Sequence, residues 1–252
     1  MLWKQKLGAT AIHFFGSLVI FSFFTLILLF FWFPEPYFSA SGGQQGIIIV
    51  ALIDVVLGPI LTFIVFNLKK PRQELIRDLG IIILLQLAAL FYGIYTVYGQ
   101  RPVAVVFWEN KFFTVPAKEL TGQFSGNIKL QEILAKPALP FVYVQRPQTA
   151  EEHKELIDTV QQTRVPPHHQ IDKFSPIDSH FDEIKKHSID IKEILAHNSE
   201  MDQKLKKILM DTQTSLENNI YIVLESKYQN IILVFDQGGK QLGYIKAPFK
   251  EL

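Results

Sequence analysis

The stretch Ile47-Ile-Ile-Val-Ala-Leu-Ile-Asp54-Val-Val-Leu-Gly58-Pro59-Ile-Leu-Thr62-Phe-Ile-Val-Phe66 decides the fold. It is 20 residues long and carries a single charged group. An α-helix needs roughly 20 apolar residues to cross a hydrocarbon core of about 30 Å. In lipid, only helices and closed barrels satisfy every backbone N–H and C=O, so the stretch predicts a membrane-spanning helix. A carboxylate inside such a helix costs roughly 2.5–3.5 kcal/mol on insertion scales, so Asp54 needs a reason to be there. Pro59 lacks the N–H that would bond the carbonyl of Val55 and crowds that turn, which should bend or loosen it. An acid beside a loosened turn is the least ordinary feature of the chain.

Two further apolar segments flank this one. Leu79–Tyr98 follows, also 20 residues long, and Ala11–Phe33 precedes with 23. A secretory leader has an apolar core of only about 7–15 residues. Ser39-Ala40-Ser41 is at best a weak cleavage pattern, so Ala11–Phe33 predicts a retained first helix. Trp3 and Trp32 lie near its ends, where amphipathic rings favour the headgroup region. The flank before it holds Lys4 and Lys6, the 34–46 loop holds no Lys or Arg, and the 67–78 loop holds Lys69, Lys70, Arg72 and Arg77. Basic short loops stay in the cytoplasm. The expected topology therefore has the N-terminus inside and everything beyond Tyr98 outside.

Composition divides the chain at the same place. Of its 25 Lys+Arg and 24 Asp+Glu, only six and four fall within residues 1–100. Residues 1–100 are expected to form a membrane domain, and residues 101–252 a periplasmic domain of ordinary soluble composition. The charge is nearly balanced, at +1 overall, with no basic stripe for nucleic acid. The chain has no cysteine, which excludes thiol catalysis, disulfides and cysteine-ligated metals.

Depth narrows what Asp54 can meet. Counting 1.5 Å per residue from the outer end of each apolar segment places Asp54 about 10 Å down, Thr25 about 12 Å and Tyr92 about 9 Å. By the same count Gln86 lies about 8 Å deeper than Asp54 and is the poorer partner. Gly58 falls level with Ser22 and Ala88-Ala89, and small residues at one depth let helices approach closely. Three readings stand side by side. Asp54 is a protonated group bonded inside a three-helix bundle; or it meets a partner's membrane helix; or it belongs to a proton path, for which His13 is the only other titratable group in the spans.

Beyond Arg101-Pro102 the pattern changes from helical to β-rich. Val103–Trp108 and Lys111–Val115 predict a hairpin around Glu109-Asn110, and Phe141–Gln145 a further strand. Thr149-Ala-Glu-Glu152 is a capping box, opening a charged helix to about Gln162. Ser175-Pro176-Ile-Asp178 predicts another helix start, with Ile177, Phe181 and Ile184 on one face. Ser199-Glu-Met-Asp202 predicts a third, with Met201, Leu205, Ile208 and Leu209 facing a sheet. Asn219–Glu225, Asn230–Phe235 and Gln241–Lys246 form an expected closing meander, with Asp236–Lys240 as a turn. The fold class is a membrane protein with three N-terminal transmembrane helices followed by an α+β domain.

No catalytic pattern emerges. There is no His-Glu-x-x-His, no Gly-x-Ser-x-Gly and no phosphate-cradling glycine loop. His153, His168, His169, His180, His187 and His197 show no metal-ligand spacing and predict solvated surface. Asp182-Glu183 beside Lys185-Lys186 predicts a charged helix face. No enzyme, cofactor, metal site or small-molecule substrate is expected.

Residues Ile49–Phe66, with Asp54, Gly58, Pro59 and Thr62, resemble the second membrane segment of the type IV pilin accessory proteins (TfpX/TfpZ-like). Asp78-Leu-Gly-Ile-Ile-Ile-Leu-Leu-Gln86-Leu-Ala-Ala89-Leu-Phe-Tyr92-Gly93, followed by Arg101-Pro102, resembles the third. The resemblance covers roughly residues 10–110 and the closing meander. It implies an inner-membrane chaperone or modulator for a cognate type IV major pilin, with lipid and that pilin as partners and no catalytic site. Asp54, Gly58, Pro59, Thr62, Gln86 and Tyr92 are the candidate partner-binding residues. The alternative is a membrane-anchored periplasmic sensory or scaffold module unrelated to pili. Intramembrane transport is a third class.

Overall fold

The computed structural model describes residues 2–120 and 139–247. The chain divides into two compact units, Met1–Phe38 with Gly42–Gln100, and Ser39–Ser41 with Arg101–Leu252.

The first unit is three long helices. α1 runs from Leu2 to Ile27 and continues through a π-type turn, Leu28–Trp32, up to Pro34. α2 runs from Gly43 to Val65 in three joined pieces: an α-helical Gly43–Val50, a π-type Ala51–Leu57 and an α-helical Gly58–Val65. α3 spans Arg72–Gln100. These helices are 30, 23 and 29 residues long from Trp3, Gly43 and Arg72, and apolar enough to cross a membrane. Each begins or ends beyond the expected apolar limits, because hydropathy marks the lipid-facing part while helical bonding continues to the next breaker. Pro34, Gly42 at φ 97° and Pro71 supply three of those limits. The 67–78 loop is correspondingly shorter than expected, since Arg72–Asp78 already belongs to α3.

The packed end of this unit holds Phe24, Leu28, Phe33, Val50 and Val97. Gly46 makes that packing possible: a Cβ there would stand 2.7 Å from Val97 Cγ2. Elsewhere large apolar side chains face outward, Val19 at 70% exposed, Phe31 at 78% and Leu84 at 67%, which suits helices surrounded by lipid.

The second unit is built on a seven-stranded mixed sheet in the order β4-β3-β1-β2-β5-β6-β7. β1 (Pro102–Trp108) and β2 (Lys111–Pro116) form the expected antiparallel hairpin, with Glu109 at φ 58° in its turn. β3 (Phe141–Val144) lies parallel to β1, and β4 (Phe174–Pro176) antiparallel to β3. β2 pairs in parallel with β5 (Ile220–Glu225), which opens the antiparallel meander through β6 (Asn230–Phe235) to β7 (Gln241–Ala247). All six residues of β6 are buried, as expected of a strand covered on both faces.

Helices close the faces. α4 (Ala150–Thr163) starts at the expected cap: Thr149 Oγ1 accepts from the Glu152 N–H at 3.2 Å. The Glu152 carboxylate reaches back one residue further than the usual box and accepts from the Gln148 N–H at 2.7 Å. α5 (Ile191–His197) is capped by Asp190. α6 (Ser199–Thr212) is capped by Asn198, one residue before the expected Ser199. Met201 and Leu205 of α6 are buried with Tyr221, Ile232, Val234 and Ile245, and Ile208 and Leu209 pack at the margin. The arrangement is α+β, as the sequence predicts.

One expected helix is not there. Ser175-Pro176 does not open a helix; Phe174–Pro176 is the edge strand β4, and Ser175 Oγ donates to the Tyr143 carbonyl at 3.0 Å. The strand wins because β3 offers an unpaired edge, and a proline at an edge costs no ladder bond. The apolar stripe survives on a chain of short turns: Ile177, Phe181 and Ile184 are all buried across Ile177–His180, Phe181–Ile184 and Lys185–His187.

Candidate functional site

α1 and α3 both lie against α2 and leave a cleft between them. A cavity of about 430 Å³ is walled by Ala9, Ile12, Gly16 and Ile20 of α1 and by Leu79, Ile83, Leu87 and Leu90 of α3. Each set recurs at three- and four-residue steps, which places it on one helix face. Asp54 and Thr62 of α2 also line the cavity, and His13, Ser17 and Gln86 bring polar groups to it. The cleft is thus an apolar trough with a small polar region.

Asp54 is 5% exposed, and its Oδ1 is enclosed without a hydrogen-bond partner among the described residues. It sits inside the π-type segment, where the Gly58 N–H reaches back five residues to the Ile53 carbonyl. The loosening expected from Pro59 takes this form: the wider turn accommodates the missing proline N–H upstream of it. Thr62, 3% exposed, is hydrogen-bonded through its hydroxyl to Nδ1 of His13 at 2.6 Å. Gln86 Nε2 donates to the backbone carbonyl of Asp54 at 3.5 Å. A Cβ on Gly58 would fall 1.9 Å from that Nε2, so the bare glycine is what admits the Gln86 side chain.

The structure corrects the depth count. That count starts α2 at Ile47, but the helix starts at Gly43. In the structure Gly46 meets Val97 and Gly58 meets Gln86, while Gly93 lies opposite Val50. Gln86, expected to lie too deep, is the α3 polar group beside Asp54. Thr25 is not its partner; the Thr25 hydroxyl is buried and bonds nothing among the described residues. Tyr92 is 73% exposed and lies outside the cleft lining. Gly58 and Pro59 are buried and shape α2 without lining the cavity. Sequence reasoning names His13 only for a proton path and misses its place beside Thr62 in the cleft. A signal exists: Ala9, His13, Gly16 and Ser17 form a small and polar stripe at helical spacing.

In the second unit, four histidines expected at the solvated surface are part of packed aromatic groups. His168 stacks on Phe113 at 4.5 Å, and burial, helped by His169, pushes its pKa down to about 4. Burial also lowers His169, against the pull of Glu119. His180 stacks on Tyr143 at 4.3 Å, and His187 tilts against Phe107 at 5.8 Å. The cause is the aromatic content of β1, β2 and β3, which offers flat apolar faces to any ring that crosses them. His153 and His197 are exposed as expected, and Lys185–Asp182 and Lys186–Glu183 form ion pairs on an exposed turn. No group of three metal-ligating side chains is found among the described residues.

Comparison with known proteins supplies an independent line. The model of the family described as fimbrial assembly protein FimB matches residues 1–42. The fimbrial assembly protein of serogroups C1 and C2 from Dichelobacter nodosus is 42% identical over 98 residues, 39% of this chain and 75% of that protein. The serogroup I and serogroup E1 fimbrial assembly proteins of the same organism are also 42% identical over 98 residues. The chain covers only 38% of the length of each of these two. No solved structure matches the chain.

Proposed function

The chain belongs to the family of fimbrial assembly proteins, and from that premise we propose that it is an inner-membrane accessory protein for a cognate type IV major pilin, assisting pilin stability and pilus assembly. The observation that carries this reading is the 42% identity over 98 residues to a protein named for fimbrial assembly, three quarters of which the chain covers. The absence of any recognised catalytic pattern favours action by binding rather than by chemistry. The basic residues that follow Asn67-Leu68 and the Lys-bearing start of α1 favour an N-terminus in the cytoplasm and a second unit in the periplasm. A pilin awaiting assembly is one apolar helix with a periplasmic head. A chain with both a membrane unit and a periplasmic unit can engage each part, and two modest contacts on one tethered partner reinforce each other.

The test is deletion of the gene in a piliated host, with affinity purification of the tagged full chain from membranes. The expected result is loss of surface pili, restored by complementation, and recovery of the major pilin with the tagged chain. Unchanged piliation, with an envelope kinase or polysaccharide complex recovered instead of pilin, would overturn the proposal in favour of a sensory or scaffold module.

A further inference from the structure

We infer that the cleft between α1 and α3 receives a single transmembrane helix of a partner protein, one that presents a hydrogen-bond donor (hydroxyl, amide or ammonium) level with Asp54. The inference rests on the pilus-assembly reading only for the partner's identity.

Three observations meet in the cleft. The first is its shape. The walls Ala9–Ile20 and Leu79–Leu90 each extend about 17 Å, roughly three helical turns. Gly16 in the α1 wall has nothing within 4 Å of where a Cβ would stand, so a facing helix can approach its backbone closely. The second is chemistry. The cavity is apolar apart from a few side chains, and Asp54, 5% exposed, lines it with a carboxyl that accepts no bond among the described residues; Oδ1 is closed off by the chain itself, which leaves Oδ2 as the oxygen that a donor in the cleft can reach. An enclosed acceptor without a donor is unfavourable, and more so in a low-dielectric surrounding. The third is that two of the polar neighbours already have other partners. The Thr62 hydroxyl bonds His13, and Gln86 reaches the Asp54 carbonyl rather than the carboxylate.

These observations choose between occupants. A lipid acyl chain would cover the apolar walls but brings no donor to Asp54. A transmembrane helix covers the same walls and can carry a donor at a fixed height, since its own backbone groups are internally bonded. The carboxylate therefore sets the register of the incoming helix along the cleft, while the apolar walls supply contact area.

The experiment uses the full chain in its native membrane, with the photoreactive residue p-benzoylphenylalanine replacing Ile12 or Ile83 in the cleft, or Phe31 or Leu84 outside it. Ile12, Phe31 and Leu84 are all strongly exposed, so exposure alone does not separate the two groups. The expected result is an adduct with one membrane-spanning protein from the cleft positions and its loss from Phe31 and Leu84. Asp54→Leu should abolish that adduct at matched protein abundance. Adducts with lipid alone, adducts with a second copy of this chain, or equal yields inside and outside the cleft would each overturn the inference. Where Asp54→Leu lowers abundance, the comparison of cleft and outer positions in the wild-type background still decides. A pilin adduct formed equally from all four positions would leave the pilus reading standing and remove this one. A cleft-specific adduct with a single-span protein other than pilin would do the reverse.

Discussion

Gly58 and Gln86 show how one missing side chain organises a site. Gly58 has ordinary helical backbone angles, so its requirement is space rather than conformation. Gly58→Ala must move the Gln86 amide from its position 1.9 Å from the new Cβ, but that amide is the end of a flexible side chain and gives way cheaply, while Ala gains about 0.5–1 kcal/mol over Gly inside a helix. The thermal midpoint should therefore stay close to that of Gly8→Ala, where nothing lies within 4 Å of a Cβ, and the change should appear instead as weaker cleft-specific crosslinking to a partner helix. His168 offers a second prediction. Its folded pKa of about 4 lies below the ordinary 6.5, so the unfolded chain binds more protons between those values. Its contribution to stability is complete above pH 6.5 and is lost as pH falls towards about 4. Thermal midpoints of the purified protein should therefore decline with acidification, and His168→Phe should flatten that decline. Asp54 stands out in the sequence because a carboxylate in an apolar run is unusual by itself. The His13–Thr62 bond joins residues 49 apart and depends on how two helices meet, which no local pattern encodes.

Among the elements, α6 and β4 mark the two extremes of legibility. α6 announces itself through a stripe, a cap and a sheet-facing side, and only its capping residue shifts by one. Asn198→Ala removes the oxygen that accepts from the Met201 N–H and should cost about 1 kcal/mol. Leu205→Ala, at 1% exposure beneath the sheet, should cost about 2–5 kcal/mol. Chemical denaturation of the two variants should rank them in that order. β4 escapes sequence reasoning because Ser175-Pro176 suits a helix start and an edge strand equally. The choice is made by the free edge of β3, which comes from more than thirty residues earlier in the chain. The span limits fail for a related reason: composition reports which residues prefer lipid, whereas the helix ends follow prolines and glycines.

On the scale of the whole molecule, the division near Arg101-Pro102 is legible because two solvents select two compositions. Residues 101–252 should fold without the membrane helices, since the buried clusters on the sheet draw only on residues within that range. A purified fragment should unfold cooperatively on heating, and disordered circular dichroism would refute the expectation. Orientation is tested by reporter fusions. Alkaline phosphatase should be inactive after Leu68 and active after Thr114, and the opposite pattern would invert the topology. The cleft itself is not legible at this scale, because it depends on α1 and α3 separating after both have packed on α2.

The π-type turn of α2 amounts to one surplus residue held in a continuous helix. Deleting Val56 would let Ala51–Leu57 relax to ordinary α spacing, with no break in the helix and little change in its length. The Gly58 N–H would then bond the same Ile53 carbonyl as an ordinary four-residue bond, so the two ends of α2 would keep their relative phase. Deleting Ile60 from the regular stretch instead would turn the N-terminal part by about 100° relative to Thr62 and swing Asp54 away from the cleft. Membrane insertion should survive either excision, whereas capture of a partner helix should survive only the first. The surplus residue is thus slack in the helix, taken up without turning the direction in which the acid looks.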